Sequence, residues 1–377
     1  MKTLAIIGAS YLQLPLVRKA KEMGLRTICF AWTEGAVCKD VADKFYPISV
    51  TDKEAILKVC LEEKIDGITS IASDVAVPTI AYVAANMGLI GNTEESAAKS
   101  SNKFLMRKVF TTANVPCPAF AVVESVGNLK AIEGRLVFPL IAKPVDRSGS
   151  AGVMECHDYA QLESAVNSAI ACSFSKRAIV EQCITGMHEI SVEGISWNGE
   201  YHLLQMTDKI TTGAPHYVEL GHHQPSQISP ELKVKVEEIV RKGVAALDIR
   251  YGASHSELMI QEDGSVYMTE IGARMGGDFI GSDLVKLSTG YDFLRGVIEV
   301  ALGDFTGIDI AEHSKFSGVW FYAPETQWVK NEILNAPKNP SIVASELQRE
   351  DVVELTRSAD RSGYFIYASN VGRIEHV

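Results

Sequence analysis

The chain has 377 residues, 46% apolar and 22% charged, which is too apolar for a disordered chain and enough for about two to three cores of roughly 150 residues. Thirty-six Lys and Arg against forty-seven Asp and Glu give a net charge of −11, so no broad basic field exists for nucleic acid or an anionic membrane. Any anionic ligand therefore needs a local cluster of cations, and no apolar run reaches the roughly 18 residues of a membrane span.

Residues 1–95 alternate strand and helix. Thr3–Gly8 reads as a strand buried on both faces, Leu12–Met23 as a helix stopped by Gly24, and Leu25–Ala31 as a second strand. Asp52–Lys64 is an amphipathic helix with Ala55, Ile56, Val59 and Cys60 on one face. Ile65–Ala72 is a third strand, and Val75–Met87 a helix ended by Gly88. This order predicts a Rossmann-like parallel sheet with helices on both faces. The apolar start turns polar with no small-residue cleavage site, so no signal peptide is read there. The first turn, Gly8-Ala9-Ser10-Tyr11-Leu12-Gln13, keeps one glycine of the dinucleotide fingerprint, which argues against a nicotinamide oxidoreductase.

Residues 96–116 carry a connecting helix, Lys103–Ala113. Residues 117–195 read as a small α+β unit, with strands at Ala119–Val123, Phe138–Lys143, Gly152–Cys156, Ala178–Gln182 and Glu189–Ile195, and one helix, Tyr159–Ala171. In residues 196–305, Ser229-Pro230-Glu231 opens a helix whose Leu232, Val236, Ile239, Val240, Val244 and Leu247 recur at helical spacing. Residues 306–377 read as a small C-terminal α+β subdomain. The seven cysteines are odd in number and lack C-x-x-C, so reduced thiols in a cytoplasmic protein are expected rather than disulfides or zinc.

Three segments carry chemistry. A strand ending in Lys143 runs into Arg147-Ser148-Gly149-Ser150-Ala151-Gly152, where small residues leave backbone N–H groups free to wrap phosphate oxygens. On its own this is also what a surface hairpin looks like. Second, Asp263-Gly264 is a two-residue hairpin signal that sets Glu257 opposite Glu270, with His255 on the same face. Two facing carboxylates repel, and a bound cation such as Mg²⁺ removes the objection; a solvated hairpin in another register is the alternative. Arg274, Gly276 and Gly277 follow, an anion-holding arginine beside glycines that let a ligand approach the backbone. Third, Glu181 ends a strand before a turn and a second strand at Glu189; backbone at such a hinge can pair with an adenine edge and a carboxylate can accept ribose hydroxyls, but taken alone an ordinary strand–turn–strand is the commoner reading. Asp74, at the end of the third strand, lies where open parallel sheets bind ligands, or else caps the next helix.

The order of these pieces, a preliminary α/β domain, a lysine, the Lys143 loop, the Glu181 hinge, the Glu257/Glu270 pair and E-x-x-x-R, resembles the ATP-grasp superfamily of carboxylate–amine and carboxylate–thiol ligases. The resemblance covers about Met1–Gly303 and is closest in texture to amino-acid ligases and carbamoyl-phosphate-synthase-like members. Ser254–Gly277 and Lys286–Asp292 carry most of it. It implies a two-lobed ATP-grasp fold after the N-terminal domain, ATP and Mg²⁺ (or Mn²⁺) as cofactors, and small carboxylate and amine substrates, with no nucleic acid or membrane partner and a homodimer as an allowed assembly. It implies phosphate contacts by Lys103 and Lys143, a closing loop at Arg147–Gly152 that includes Ser148, Gly149 and Ser150, and an adenine hinge at Glu181 with the backbone of Gln182 and Ile184. Glu189 matches the ribose carboxylate, Glu257 and Glu270 the metal ligands, Arg274 the residue that steadies an acyl phosphate, and Lys209 a γ-phosphate contact. His222 or His223 lies in a segment that borders phosphate and substrate in the amino-acid ligases and could bind the substrate carboxylate, a plain surface loop being the alternative; Asp74, Gly276 and Gly277 are further candidates for the substrate side. One departure is Gly272, where many members place an asparagine metal ligand. The implied activity is an ADP-forming ligase acting on an amino acid or similar carboxylate. The rivals are a purine-pathway or bicarbonate-activating enzyme on the same scaffold (phosphoribosylglycinamide-synthetase-like or carbamoyl-phosphate-synthase-like), and a non-catalytic ATP-binding regulator.

Overall fold

The computed structural model describes residues 1–132, 134–147, 152–184, 187–214, 216–310 and 315–375. The N-terminal sheet is parallel throughout, in the order β3-β2-β1-β4. It comprises β1 (Thr3–Ile7), β2 (Arg26–Phe30), β3 (Lys44–Tyr46) and β4 (Gly67–Thr69), with helices α1 (Leu14–Glu22), α2 (Lys53–Glu63) and α3 (Val77–Met87). Gln13 fills the first turn. Its side chain accepts from Ser10 N at 3.1 Å and donates to Ile71 O at 2.8 Å, closing over Gly8. Helix α4 (Glu94–Ser101) was absent from the sequence pattern. It shows no apolar stripe and is set by its cap, Thr93, which accepts from Ser96 N at 3.1 Å. Helix α5 (Lys103–Thr112) follows, capped by Asn102.

The small antiparallel sheet runs β5-β8-β6-β7, from β5 (Phe120–Val123), β6 (Leu140–Pro144), β7 (Met154–Cys156) and β8 (Ala178–Gln182), covered by α6 (Tyr159–Cys172). The large sheet has eight strands in the order β13-β12-β9-β10-β11-β14-β16-β15. They are β9 (Met187–Trp197), β10 (Glu200–Thr211), β11 (Glu219–Gln224), β12 (Gly252–Gln261), β13 (Val266–Gly272), β14 (Phe316–Tyr322), β15 (Ile342–Leu347) and β16 (Gly363–Ser369). Helix α7 (Pro230–Ala246) starts where the sequence placed it, with Ser229 accepting from Leu232 N at 3.3 Å. Its Val236, Ile239, Val240 and Val244 pack on Ile190, Val192, Leu258, Met268 and Ile271 of the sheet. Each such fully buried side chain contributes about 1.5–3 kcal/mol.

Two expectations change. The strand expected to end the small unit at residue 195 is β9, which belongs to the large sheet, and the C-terminal extension contributes β14, β15 and β16. Through β14, which pairs with β11, they extend that same sheet. The hairpin turn also differs. Gln261 N donates to Ser265 O at 2.9 Å around Gly264, whose φ is +79°, so the loop has one residue more than the Asp-Gly signal suggested. Thr269 is the compensating extra residue on β13: Leu258 pairs with Met268, yet Glu257 pairs with Glu270 as expected. Thr269 Oγ1 fixes this bulge by donating to Glu257 O at 2.9 Å.

The units are stitched together. Ile71 forms a parallel bridge with Met275, and Ala72 N donates to Met275 O at 3.1 Å, so the end of the N-terminal sheet lies against the segment after β13. Among the described residues no helix is long and apolar enough to cross a membrane, and all seven cysteines are free thiols.

Candidate active site

A cavity of about 380 Å³ lies where the three sheets meet. One end is walled by Pro118, Ile141, Val153, Gln182, Ile184 and Met259, and the other by Tyr11, Ala72, His222, Asp278, Ile280 and Ser358. Lys103, Lys143, Arg147, Lys209 and Arg274 face it, together with Asp74, Glu181, Glu189, Glu257, Glu270 and Gly277. Ser148, Gly149 and Ser150 lie outside the described residues.

The cations are already matched with anions. Lys143 Nζ sits 2.7 Å from Glu181. Burial holds the Lys143 ammonium below its usual pKa despite that carboxylate, with Arg107 adding to the depression. Glu181 also meets Arg107, whose Nε lies 2.7 Å away; the distance is ionic but the N–H is not aligned for a hydrogen bond. Burial alone would raise the Glu181 carboxyl, but Arg107 and Lys143 overcome it and hold the group at about 2. The Gln182 side-chain amide donates back to Val137 O and Pro139 O, and the Gln182 backbone N–H donates to Ala119 O at 2.8 Å.

Lys209, on β10, contacts three carboxylates: Glu189 at 2.5 Å, Glu257 at 2.9 Å and Glu219 at 3.8 Å. Burial opposes its charge, but those carboxylates push its pKa well above the usual value. One cation cannot satisfy all three anions. Burial raises the Glu189 carboxyl, while Lys209 and His255 overcome burial at Glu257 and hold it low. Lys103, opening α5, reaches Glu270 at 2.9 Å and Arg147 O at 2.7 Å. The Arg147 side chain is engaged elsewhere: Nε donates to Cys172 O at 2.7 Å and the guanidinium lies 3.8 Å over Phe174. In this state it offers the site its carbonyl rather than its charge.

Arg274 and Asp74 form a two-bond pair at 2.8 and 2.9 Å. The residue at the N-cap of α3 is Ala76 rather than Asp74, so the capping alternative gives way to this contact. The same carboxylate explains Gly272, where a Cβ would lie 2.6 Å from Asp74 Oδ1. Gly276 is likewise required, since its Cβ would meet His255 Nδ1 at 2.8 Å.

The two histidines separate. His222 faces the cavity and is 1% exposed; among the described residues it has no hydrogen bond at either ring nitrogen, and Asp278 lies 3.8 Å from its Nε2. His223 points through the sheet the other way. Its Nδ1 meets the Tyr367 hydroxyl at 2.9 Å, its ring lies 4.7 Å from Trp320, and burial pushes its pKa down to about 3. His223 is therefore a core residue, and the expectation that it borders substrate is corrected.

Several polar residues were not anticipated. Arg107 lies one turn after Lys103 on the buried face of α5, a second inward cation that could have been noticed. Glu193 is a fully buried carboxylate on β9. Arg361 arrives from beyond β15, forms two 2.8 Å bonds to Asp278, and stacks 3.6 Å over Phe321. Nothing in the sequence links positions so far apart.

Glu257 and Glu270 fit a divalent cation: they face each other across one register pair, both border the cavity, and each has a single lysine to exchange for metal. Among the described residues no group of three or more His, Cys, Asp or Glu could hold a metal. A divalent cation such as Mg²⁺, held by these two carboxylates, would take its remaining oxygen ligands from phosphate and water.

A family model described as the ATP-grasp domain matches residues 136–283. The alanine–anticapsin ligase of Bacillus subtilis is 25% identical over 245 residues, covering 59% of this chain and 51% of that enzyme. The chain thus spans about half the length of such curated relatives. The L-amino acid ligase of Bacillus licheniformis superposes with a TM-score of 0.82 at 23% identity, covering 98% of this chain and 94% of the other. Phosphoribosylglycinamide synthetase from Anaerococcus prevotii superposes with a TM-score of 0.77 at 19% identity, covering 98% and 94%. These two likenesses establish a shared fold.

Proposed function

We propose that this chain, whose residues 136–283 match a family model described as the ATP-grasp domain, is an ATP-dependent, ADP-forming carboxylate–amine ligase working through an acyl phosphate. The observation that carries this reading is the set of paired charges in one cavity: Lys143, Lys103 and Lys209 against Glu181, Glu270 and Glu257. The Lys103–Glu270 and Lys209–Glu257 pairs split between the halves of a metal–nucleotide complex, the lysines turning to phosphate and the carboxylates to the cation, while Lys143 turns to phosphate and leaves Glu181 to Arg107. In the free protein the pairs neutralise one another, which is how an acidic chain keeps a polyanion site without a basic surface.

Lys103 and Lys143 hold the inner phosphates. The backbone of Gln182 and Ile184 borders the base and Glu189 the ribose. Mg²⁺ bound by Glu257 and Glu270 would supply charge neutralisation at the transferred phosphoryl group. Lys209 steadies the γ-phosphate. The substrate carboxylate oxygen forms a bond to γ-phosphorus as the bond to ADP breaks. Arg274 then stabilises the acyl phosphate, and an amine attacks the acyl carbon: the C–N bond forms, phosphate leaves, and the amine loses a proton. Asp74 holds Arg274 at the substrate end, which His222 and Gly277 also border.

An amino acid is the favoured carboxylate, on the likeness to the amino-acid ligases. ADP release screened against carboxylates and amines tests the reading, which expects release only when a matched carboxylate is present. Release that required bicarbonate and ignored every amino acid would move the function to the purine-pathway or bicarbonate-activating class. Nucleotide binding with no release under any condition would mean a regulator.

A further inference from the structure

Glu193 is the deepest carboxylate beside the site, fully shielded from solvent in the middle of β9. A charge in that position is costly unless paired, and an apolar pair of similar volume would stabilise the sheet as well or better. Its partners are specific. Glu193 and His255 are direct cross-strand partners on β9 and β12, and His255 Nδ1 bonds Glu193 Oε1. The other carboxylate oxygen accepts from Gly276 N at 3.1 Å. His255 Nε2 lies 3.3 Å from Glu257 Oε1, two residues along the same strand and on the same face. The chain of contacts thus runs from the Gly276 backbone through Glu193 and His255 to the Glu257 carboxylate. Nothing larger than glycine fits at its far end, because a Cβ at Gly276 would lie 3.0 Å from both Glu193 oxygens.

We propose that Glu193 and His255 are a positioning pair that orients the Glu257 carboxylate for metal and fixes the Gly276 backbone relative to it. This rests on the reading of Glu257 as a metal ligand. Outer partners of this kind set the ligand's orientation, and their loss typically lowers metal affinity by about 10- to 100-fold. Glu193→Gln keeps the volume and an acceptor for Gly276 N but removes the charge facing His255.

The test uses Mn²⁺ and ADP with the full chain, reading Mn²⁺ affinity by paramagnetic resonance and ADP affinity in chelator by calorimetry. Glu193→Gln is expected to weaken Mn²⁺ binding in the ADP complex by about 10-fold or more, with metal-free ADP affinity unchanged. His255→Gln should do the same, and the double variant should fall no further than the worse single one, as expected of a pair acting as one unit. Unchanged Mn²⁺ affinity, an equal loss of metal-free ADP affinity, or fully additive losses would overturn the proposal. If Glu193→Gln does not fold, His255→Gln carries the same comparison alone. Failure of the unsubstituted protein to bind Mn²⁺ with ADP would overturn the metal reading and this inference with it; normal binding there with unaltered variants overturns this inference only.

Discussion

Replacing Glu181 by Gln removes the carboxylate that holds two cations at the nucleotide end of the cavity. Arg107 is 0% exposed and Glu181 4%, so the solvent cannot take over the lost charge. Breaking such a pair from one side costs about 3–5 kcal/mol. The carboxyl's own shift gives an independent figure. Its value falls from 4.5 in the unfolded chain to about 2 in the fold, which corresponds to about 3 kcal/mol. Because the folded value is depressed, this stabilisation is fully present above the unfolded value and is lost as pH falls through the folded one. About 2 kcal/mol of it should remain at pH ~3.5. Denaturant unfolding of parent and Glu181→Gln at pH ~7 and ~3.5 measures both ends. The difference should be about 3 kcal/mol at the higher pH and shrink at the lower. A difference below about 1 kcal/mol, or one that does not change with pH, would refute the buried-pair reasoning.

Lys143→Ala should weaken ADP binding by about 1.5–3 kcal/mol, one charged contact, as read by calorimetry; an unchanged Kd would remove Lys143 from the phosphate site. Glu270→Gln should abolish turnover and the extra rise in Tm that Mg²⁺ gives over nucleotide alone. On the facing carboxylates alone, this variant would be an apo protein as stable as the parent or more so. Because Lys103 lies 2.9 Å from Glu270, it should instead melt no higher than the parent, and a clear rise in its apo Tm would contradict that pairing. Gly272→Ala should destabilise the fold by about 1–3 kcal/mol through its clash with Asp74, and do so much less in an Asp74→Ala background; equal costs in both would mean that another contact excludes the side chain.

What the sequence made legible was local. The N-terminal alternation, the Ser229 cap and the α7 stripe depend on periodicity and capping within a few residues, and all appear in the fold. The Glu257–Glu270 pairing was reached through a turn one residue too short, and it holds only because Thr269 is bulged out. Strand β10 escaped notice because Thr207, Asp208 and Lys209 are polar residues at buried positions. A pattern that assigns polar residues to solvent reads such a strand as a loop; here the polar side chains are needed in and beside the cavity. His222 and His223 are adjacent in sequence, and only the placement of β11 between β10 and β14 decides which one meets the cavity. The Asp74–Arg274 and Asp278–Arg361 pairs join segments separated by 200 and 83 positions, a proximity that the fold alone creates.

The central claim is a phosphorylated carboxylate intermediate, and trapping it is the most direct measurement. The protein is incubated with Mg²⁺, ATP, a carboxylate that stimulates ADP release, and hydroxylamine in place of the amine. A hydroxamate of that carboxylate is expected in a one-to-one ratio with ADP, because hydroxylamine intercepts an acyl phosphate. Formation of AMP and pyrophosphate would mean an adenylate instead, and would contradict the mechanism assigned to Glu257, Glu270 and Arg274.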